Sequence, residues 1–134
     1  DLIFLVSKYA VPHLLKNERS AMVNVSSDLG IQPIPGVDAY AASKGAIIAL
    51  TKAMSKNWAK NGLRVNCVAP GPIDTPLLRR FVDEPILDFV KQTMIPMGRL
   101  GRTDEIASVI AYLAGDESSF VNGAIFTANG GLVG

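Results

Sequence analysis

Ala21-Met22-Val23-Asn24-Val25-Ser26 and Leu63-Arg64-Val65-Asn66-Cys67-Val68-Ala69 are two short apolar runs rich in valine. Runs of this length and composition suit strands buried in a sheet. Between them Ile47, Leu50, Met54 and Trp58 repeat at the spacing of one helical face, which predicts a helix over residues 38–60. Asp38 is its expected N-cap. Asn61-Gly62 stops it, because glycine accepts the left-handed conformation that closes a helix. A strand, a long helix and a second strand in that order make a βαβ unit whose strands run parallel.

The same alternation continues on both sides. Residues 2–16 read as a helix: Leu2, Leu5, Val6 and Tyr9 share a face, and Ile3, Phe4 and Val11 make the other side apolar. Cover on more than one face is therefore expected, and Pro12 should kink or divide the helix. Residues 28–37, rich in proline and glycine, form a loop. Pro70-Gly71-Pro72 closes the second strand. Residues 75–93 look partly helical, interrupted by Pro76 and Pro85, and residues 75–97 are expected to form a mobile substrate flap. Thr103 is expected to cap a further helix, with Asp104 and Glu105 at its positive end and Ile106, Val109, Ile110 and Leu113 as its inner stripe. Gly115 ends it. Ala124-Ile125-Phe126-Thr127-Ala128 is a third strand before Asn129-Gly130-Gly131.

The fold class is thus α/β with a parallel sheet, and residues 1–134 form a single partial domain. Open parallel sheets usually hold more strands than the three visible. The start, Asp1-Leu2-Ile3-Phe4-Leu5-Val6, has neither an initiator Met nor a basic region. It reads as a chain cut in mid-sequence and not as a signal peptide.

Composition removes several classes of function. Apolar residues make up 49% of the chain and charged residues 19%, which excludes intrinsic disorder. Thirteen basic against twelve acidic side chains give a net charge of +1, so neither nucleic acid nor an anionic membrane has electrostatic support as a partner. No apolar run approaches the roughly 18 residues of a membrane span. The single cysteine, Cys67, excludes an internal disulfide and a multi-cysteine zinc site, and the single histidine, His13, leaves little for a metal cluster. No metal is expected.

Topology gathers the polar residues. In a βαβ unit the crossover helix starts near the carboxyl end of the first strand, and the parallel second strand ends on the same rim. Ser26-Ser27, Tyr40 through Lys44 and Pro70 through Thr75 therefore converge where open α/β sheets bind ligands. Tyr40 and Lys44, four apart, share a helical face. A phenol with its usual pKa near ~10 is a poor proton carrier at neutral pH. A cation within about 4–6 Å favours the phenolate. The pair is a physically sensible proton-transfer device, and a serine hydroxyl beside it can hold a carbonyl oxygen.

Ser27, Tyr40 thirteen positions later and Lys44 in Tyr40-Ala41-Ala42-Ser43-Lys44 resemble the Ser…Tyr-x-x-x-Lys set of the short-chain dehydrogenases/reductases. Asn24-Val25-Ser26-Ser27 looks like that family's strand before the serine. Arg64 through Thr75 looks like its strand and proline–glycine loop. Gly98-Arg99 with Glu105-Ile106-Ala107, and Asn129-Gly130-Gly131, look like its C-terminal stretch. The resemblance implies the C-terminal portion of a Rossmann-like doubly wound parallel sheet, and a nicotinamide cofactor, NAD or NADP. It implies Tyr40 as general acid/base, and Lys44 as the residue that lowers its pKa and binds the nicotinamide ribose. Ser27 would bond the substrate oxygen. Pro70 and Gly71 would form the cofactor-side loop, with the Ile73 backbone and Thr75 holding the nicotinamide carboxamide or a nearby phosphate.

By the same resemblance, the partners would be a small-molecule alcohol or carbonyl substrate and further copies of the chain, as a homo-oligomer (dimer or tetramer) when full length. The protein is expected to be cytoplasmic. The family's glycine-rich phosphate loop has no counterpart in these 134 residues, so on their own they are expected to be inactive. Two alternatives stand beside this reading: a non-catalytic relative that keeps the fold for binding or assembly, and the same fold running an epimerisation or dehydration.

Blander roles are expected for other residues. Ser26 should point away from Ser27. Thr75 could simply cap the following helix. Gly98-Arg99-Leu100-Gly101 follows no strand and reads as a turn, not a phosphate loop. Cys67 reads as packing, Trp58 as packing or subunit interface, Asn66 as a partner for local backbone, and Lys52, Lys56 and Lys60 as a solvated stripe.

Overall fold

The computed structural model describes residues 2–133. Three strands, β1 (Ser20–Val25), β2 (Leu63–Pro70) and β3 (Ile125–Ala128), form one sheet in the order β1-β2-β3. Both pairings are parallel, with Ser20 opposite Leu63, Val25 opposite Val68, Cys67 opposite Ile125 and Pro70 opposite Ala128. The helices are α1 (Leu2–Leu14), α2 (Asp38–Trp58), α3 (Pro76–Phe81), α4 (Glu84–Phe89) and α5 (Thr103–Ala114). This is a Rossmann-like α/β arrangement of parallel strands and flanking helices. Among the described residues no helix is long and apolar enough to cross a membrane.

β2 is central, and its composition follows from that. Leu63, Val65, Cys67, Val68 and Ala69 are all buried, as a strand covered on both faces requires. Leu63 and Val65 join Val11 of α1 and Met54 of α2 in the main cluster, with Leu14, Leu15, Met22, Leu50 and Trp58 packed around it. Full burial of each large aliphatic side chain contributes about 1.5–3 kcal/mol. Cys67 and Trp58 are thus packing residues, and Lys52, Lys56 and Lys60 are exposed. After α2 a short 3₁₀ turn, Ala59–Asn61, ends at Gly62 with φ of 81°. A Cβ there would run into the Glu18 carbonyl, so the stop at this glycine is set by both conformation and contact.

Side chains of β2 that point the other way meet α5. The Arg64 guanidinium donates to the carbonyls of Leu113 (3.1 Å), Gly115 (2.9 Å) and Val121 (3.2 Å). At Leu113 and Gly115 it thereby bonds carbonyls at the end of α5 and places positive charge at the helix's negative pole. Asn66 also serves backbone: its amide donates to the Val121 carbonyl and its oxygen accepts from Ala124 N–H. Arg64→Ala is expected to lower unfolding stability by about 2–3 kcal/mol. Arg64→Lys should recover only part of this, because an ammonium cannot fork across several carbonyls. Denaturant midpoints of the two variants check both statements.

Several local expectations are corrected. α1 runs uninterrupted through Pro12 to Leu14. Proline this close to the end disturbs only the last turn. Only one side of α1 is covered: Leu2, Phe4, Leu5, Val6 and Tyr9 are exposed. Asp38 is the first residue of α2 and Val37 precedes it as the cap. Thr103 likewise lies inside α5, which starts after Arg102. Pro76 and Pro85 open α3 and α4 instead of interrupting a helix, the position where a missing N–H costs nothing.

The Glu105 carboxylate does the capping of α5, accepting from Arg102 N–H at 2.7 Å. Together with the Arg99 guanidinium this holds its pKa down at about 2. The contribution of Glu105 is therefore complete above its ordinary value of 4.5 and lost as pH falls through about 2. The thermal advantage of the wild type over Glu105→Gln should shrink between pH 5 and pH 2 and vanish below that range, a comparison that melting curves across pH provide.

Candidate active site

Two buried ties fix α2 along β1. Asn24 Nδ2 donates to Thr51 Oγ1 at 2.9 Å, and that hydroxyl donates on to the Ile47 carbonyl at 2.8 Å. Ser26 Oγ donates to the Lys44 carbonyl at 2.8 Å. With its length held against the strand, α2 presents its first turns over the carboxyl rim of the sheet.

There the Lys44 ammonium lies 5.6 Å from the centre of the Tyr40 ring. It also donates to the carbonyl of Val25, the last residue of β1, at 3.4 Å. Tyr40 remains 47% exposed. One cation thus links the phenol to the strand end from which Ser27 follows.

Ser27 starts a single 3₁₀ turn, Asp28–Gly30, that packs on α2. Its hydroxyl oxygen accepts from Leu29 N–H at 3.2 Å and its proton goes to Asp28 Oδ1 at 3.1 Å. Asp28 is only 4% exposed, and its second oxygen has no partner. Burial pushes this carboxyl up from its ordinary value, against the hydrogen bonds from Ser27 and from backbone. Gly71 closes the site from the side of β2. A Cβ on Gly71 would meet Asn129 Cβ at 2.6 Å and Asp28 Oδ2 at 3.2 Å.

Beyond Gly71 the loop is held differently. Ile73 bridges to Gly101, with Gly101 N–H on the Pro72 carbonyl at 3.0 Å and Asp74 N–H on the Gly101 carbonyl at 2.8 Å. In a parallel bridge this pattern turns Ile73's own N–H and C=O the other way. Neither has a backbone partner among the described residues. Thr75 Oγ1 accepts from Leu78 N–H at 3.2 Å and so caps α3. Its proton is still free to donate. Arg79 grips Asp74 through two bonds (2.6 and 2.9 Å) and reaches Glu84 at 2.9 Å, holding the Asp74 carboxyl below the usual range.

The structure thus gathers Ser27, Tyr40, Lys44, Pro70 and Gly71 on one rim, with Ile73 and Thr75 on the loop leading away from it. Instead of a turn, Gly98–Gly101 is a bend, with Gly98 at φ of 68°, that follows the Ile95–Gly98 turn and ends in the bridge from Gly101 to Ile73. One cavity of about 520 Å³ is lined by Pro72, Ile73, Ile106, Val109 and Asn129. A second, of about 660 Å³, sits at the opposite end of the sheet around Gly62 and Arg64. Neither is lined by Ser27, Tyr40 or Lys44; Tyr40 is half exposed and Ser27 buried. Asp28 escaped the sequence reading, in which it was simply a turn residue. No local signal marks its burial: Gly71, remote in sequence, lies beside its second oxygen.

Comparison with known proteins places the chain in a family. A family model described as enoyl-(acyl carrier protein) reductase matches residues 3–133. The chain is 42% identical over 131 residues to the 3-oxoacyl-(acyl-carrier-protein) reductase of Thermotoga maritima, covering 98% of this chain and 52% of that protein. It is 35% identical over 128 residues to the 2-(R)-hydroxypropyl-CoM dehydrogenase of Xanthobacter autotrophicus, covering 96% and 51%. The inactive 2-(S)-hydroxypropyl-CoM dehydrogenase 2 of the same organism is also 35% identical, over 133 residues, covering 96% and 58%. The chain belongs to the short-chain dehydrogenase/reductase family, a family of oxidoreductases. It spans about half the length of the curated relatives it matches.

Proposed function

We propose that this chain carries the acid/base machinery of a nicotinamide-dependent oxidoreductase that interconverts an alcohol and a carbonyl. The observation that carries the reading is the Lys44 ammonium set between the Tyr40 ring and the end of β1.

In the reducing direction Tyr40 gives its phenolic proton to the substrate oxygen, and in the oxidising direction it takes one back. Lys44, by its charge, favours the negative oxygen that this exchange leaves on the phenol. Ser27 holds the substrate oxygen beside the phenol. The residues present fit the nicotinamide end of NAD or NADP. The N–H and C=O of Ile73, without backbone partners among the described residues, match the donor and acceptor of a carboxamide, the Thr75 proton is available, and Lys44 would bind the ribose hydroxyls. A bound nicotinamide supplies or accepts the hydride. These 134 residues contain no glycine-rich loop for the pyrophosphate, so by themselves they should not turn over.

The substrate class is a small alcohol or carbonyl compound, and the active form a homo-oligomer. A non-catalytic role has one point in its favour, the relative whose name marks it inactive. Retention of Ser27, Tyr40 and Lys44 together counts against it. The test is to mix the full-length protein with reduced NAD and reduced NADP and a panel of ketones and aldehydes. Consumption of one reduced cofactor supports the reading. Cofactor binding with no consumption on any substrate, and none in reverse with the alcohols, sinks it.

A further inference from the structure

We propose that Asp28 is a positioning residue for this reaction: its carboxyl decides whether the Ser27 hydroxyl offers the substrate oxygen a proton or only a lone pair. The proposal rests on the function proposed above.

A serine hydroxyl has one hydrogen and two lone pairs. Leu29 N–H occupies one lone pair and Asp28 Oδ1 takes the hydrogen. What Ser27 has left to show a substrate is a single lone pair. That suits an alcohol, whose O–H can donate to it, and fails a carbonyl, which can only accept. If Asp28 instead carries a proton, it can donate to Ser27 Oγ, and the serine hydrogen is released toward the substrate. The ionised carboxyl therefore favours binding of the alcohol, and the neutral carboxyl binding of the carbonyl.

The surroundings make this proton an adjustable one. Asp28 Oδ2 is buried without a partner, a costly state for a charged group. Burial accordingly raises the pKa of Asp28. Near this rim, the elements packed against the turn carry Asp38, Tyr40 and Lys44 on α2 and Cys67 on β2. None of them makes an ion pair or hydrogen bond with the Asp28 carboxyl. Gly71, which lies beside Oδ2, and Asn129, which packs on Gly71, are uncharged. A turn that needed only the Ser27 cap would accept almost any side chain at position 28 and would not bury a carboxyl there.

The test compares full-length wild type with the near-isosteric Asp28→Asn. Taking the ratio of kcat/KM between the two cancels the pH dependence that both share. For carbonyl reduction this ratio should fall about fivefold as pH rises through the Asp28 titration, the size that one substrate hydrogen bond supplies. The change should lie chiefly in KM, and alcohol oxidation should show the opposite trend. A ratio flat with pH in both directions, with turnover intact, overturns the proposal and leaves the function standing. No turnover by the wild type overturns both. A second measurement needs no Asp28 variant. The carboxyl carbon of Asp28, followed by NMR, should titrate at higher pH in Ser27→Ala than in wild type, because the carboxylate loses a donor. An unchanged midpoint means that the two side chains do not share a proton, and the proposal fails.

Discussion

Replacing Tyr40 by phenylalanine in the full-length protein is expected to lower turnover by about 10²–10⁴-fold, the range that a positioned acid/base contributes, with almost no change in thermal stability. The two halves of this expectation have separate physical grounds. No described residue hydrogen-bonds the Tyr40 phenol oxygen, and the side chain is half exposed, so removing the hydroxyl leaves no buried group unsatisfied. The ring stays, and with it the face beside which Lys44 sits at 5.6 Å. On the proposed role, what is lost is the phenol that passes a proton to the substrate oxygen while a neighbouring cation stabilises the charge left behind. Steady-state rates and a melting curve on the same preparation separate the outcomes. A large fall in rate with an unshifted midpoint fits the acid/base role. An unchanged rate would mean that the chemistry lies elsewhere, and intact biological function in the variant would favour the binding or assembly reading.

The parts of the fold legible in sequence were those whose signal is repeated. Val23 and Val25, Val65 and Cys67, and the Ile47-Leu50-Met54-Trp58 stripe each restate one periodicity several times, so β1, β2 and α2 fall within a residue or two of their expected bounds. Gly62 was legible for another reason, since a single residue type there meets both a conformational and a steric demand. The helix starts were less legible. Asp38 and Thr103 carry good capping side chains, yet Val37 and Arg102 stand at those positions. At α5 the capping comes from three residues inside the helix, where Glu105 reaches back. Acids in a first turn are favourable whether or not they cap, so composition alone does not separate the two arrangements.

Topology brought the site segments to one rim, and a motif singled out the residues. Neither shows what occupies the Ser27 hydroxyl. That depends on the Asp28 side chain turning back onto Ser27 while buried, with Gly71, remote in sequence, beside its second oxygen. The expectation of a second covered face on α1 came from its apolar residues, and in the structure Leu2, Phe4, Leu5, Val6 and Tyr9 are exposed.

Gly30→Ala is expected to reduce kcat/KM by roughly 10²-fold, while Gly45→Ala, its neighbour across the same contact, should be harmless. The turn bearing Ser27 and Asp28 rests on the helix bearing Tyr40 and Lys44 through these two glycines. A Cβ at position 30 would lie 2.8 Å from the Lys44 carbonyl carbon and 2.9 Å from Gly45 N. Both are backbone atoms in a helix tied to β1 by Ser26 and Asn24, so they cannot give way. The turn must lift instead, at a cost of about 1–3 kcal/mol for overpacking. Ser27 then moves relative to Tyr40, and a misplacement of about 1 Å is enough to cost that factor in rate. The reverse substitution meets a different environment. A Cβ at position 45 would sit 3.4 Å from the Gly30 carbonyl oxygen, an ordinary contact. Alanine inside a helix is also favoured over glycine by about 1 kcal/mol, so Gly45→Ala should keep its rate and melt slightly higher. The pair tests the relative placement of turn and helix without touching a reacting group. If both variants retain full activity, the spacing of Ser27 and Tyr40 does not matter to the reaction. If both lose it alike, bulk at this contact is harmful in itself, and the asymmetry on which the geometry depends is absent.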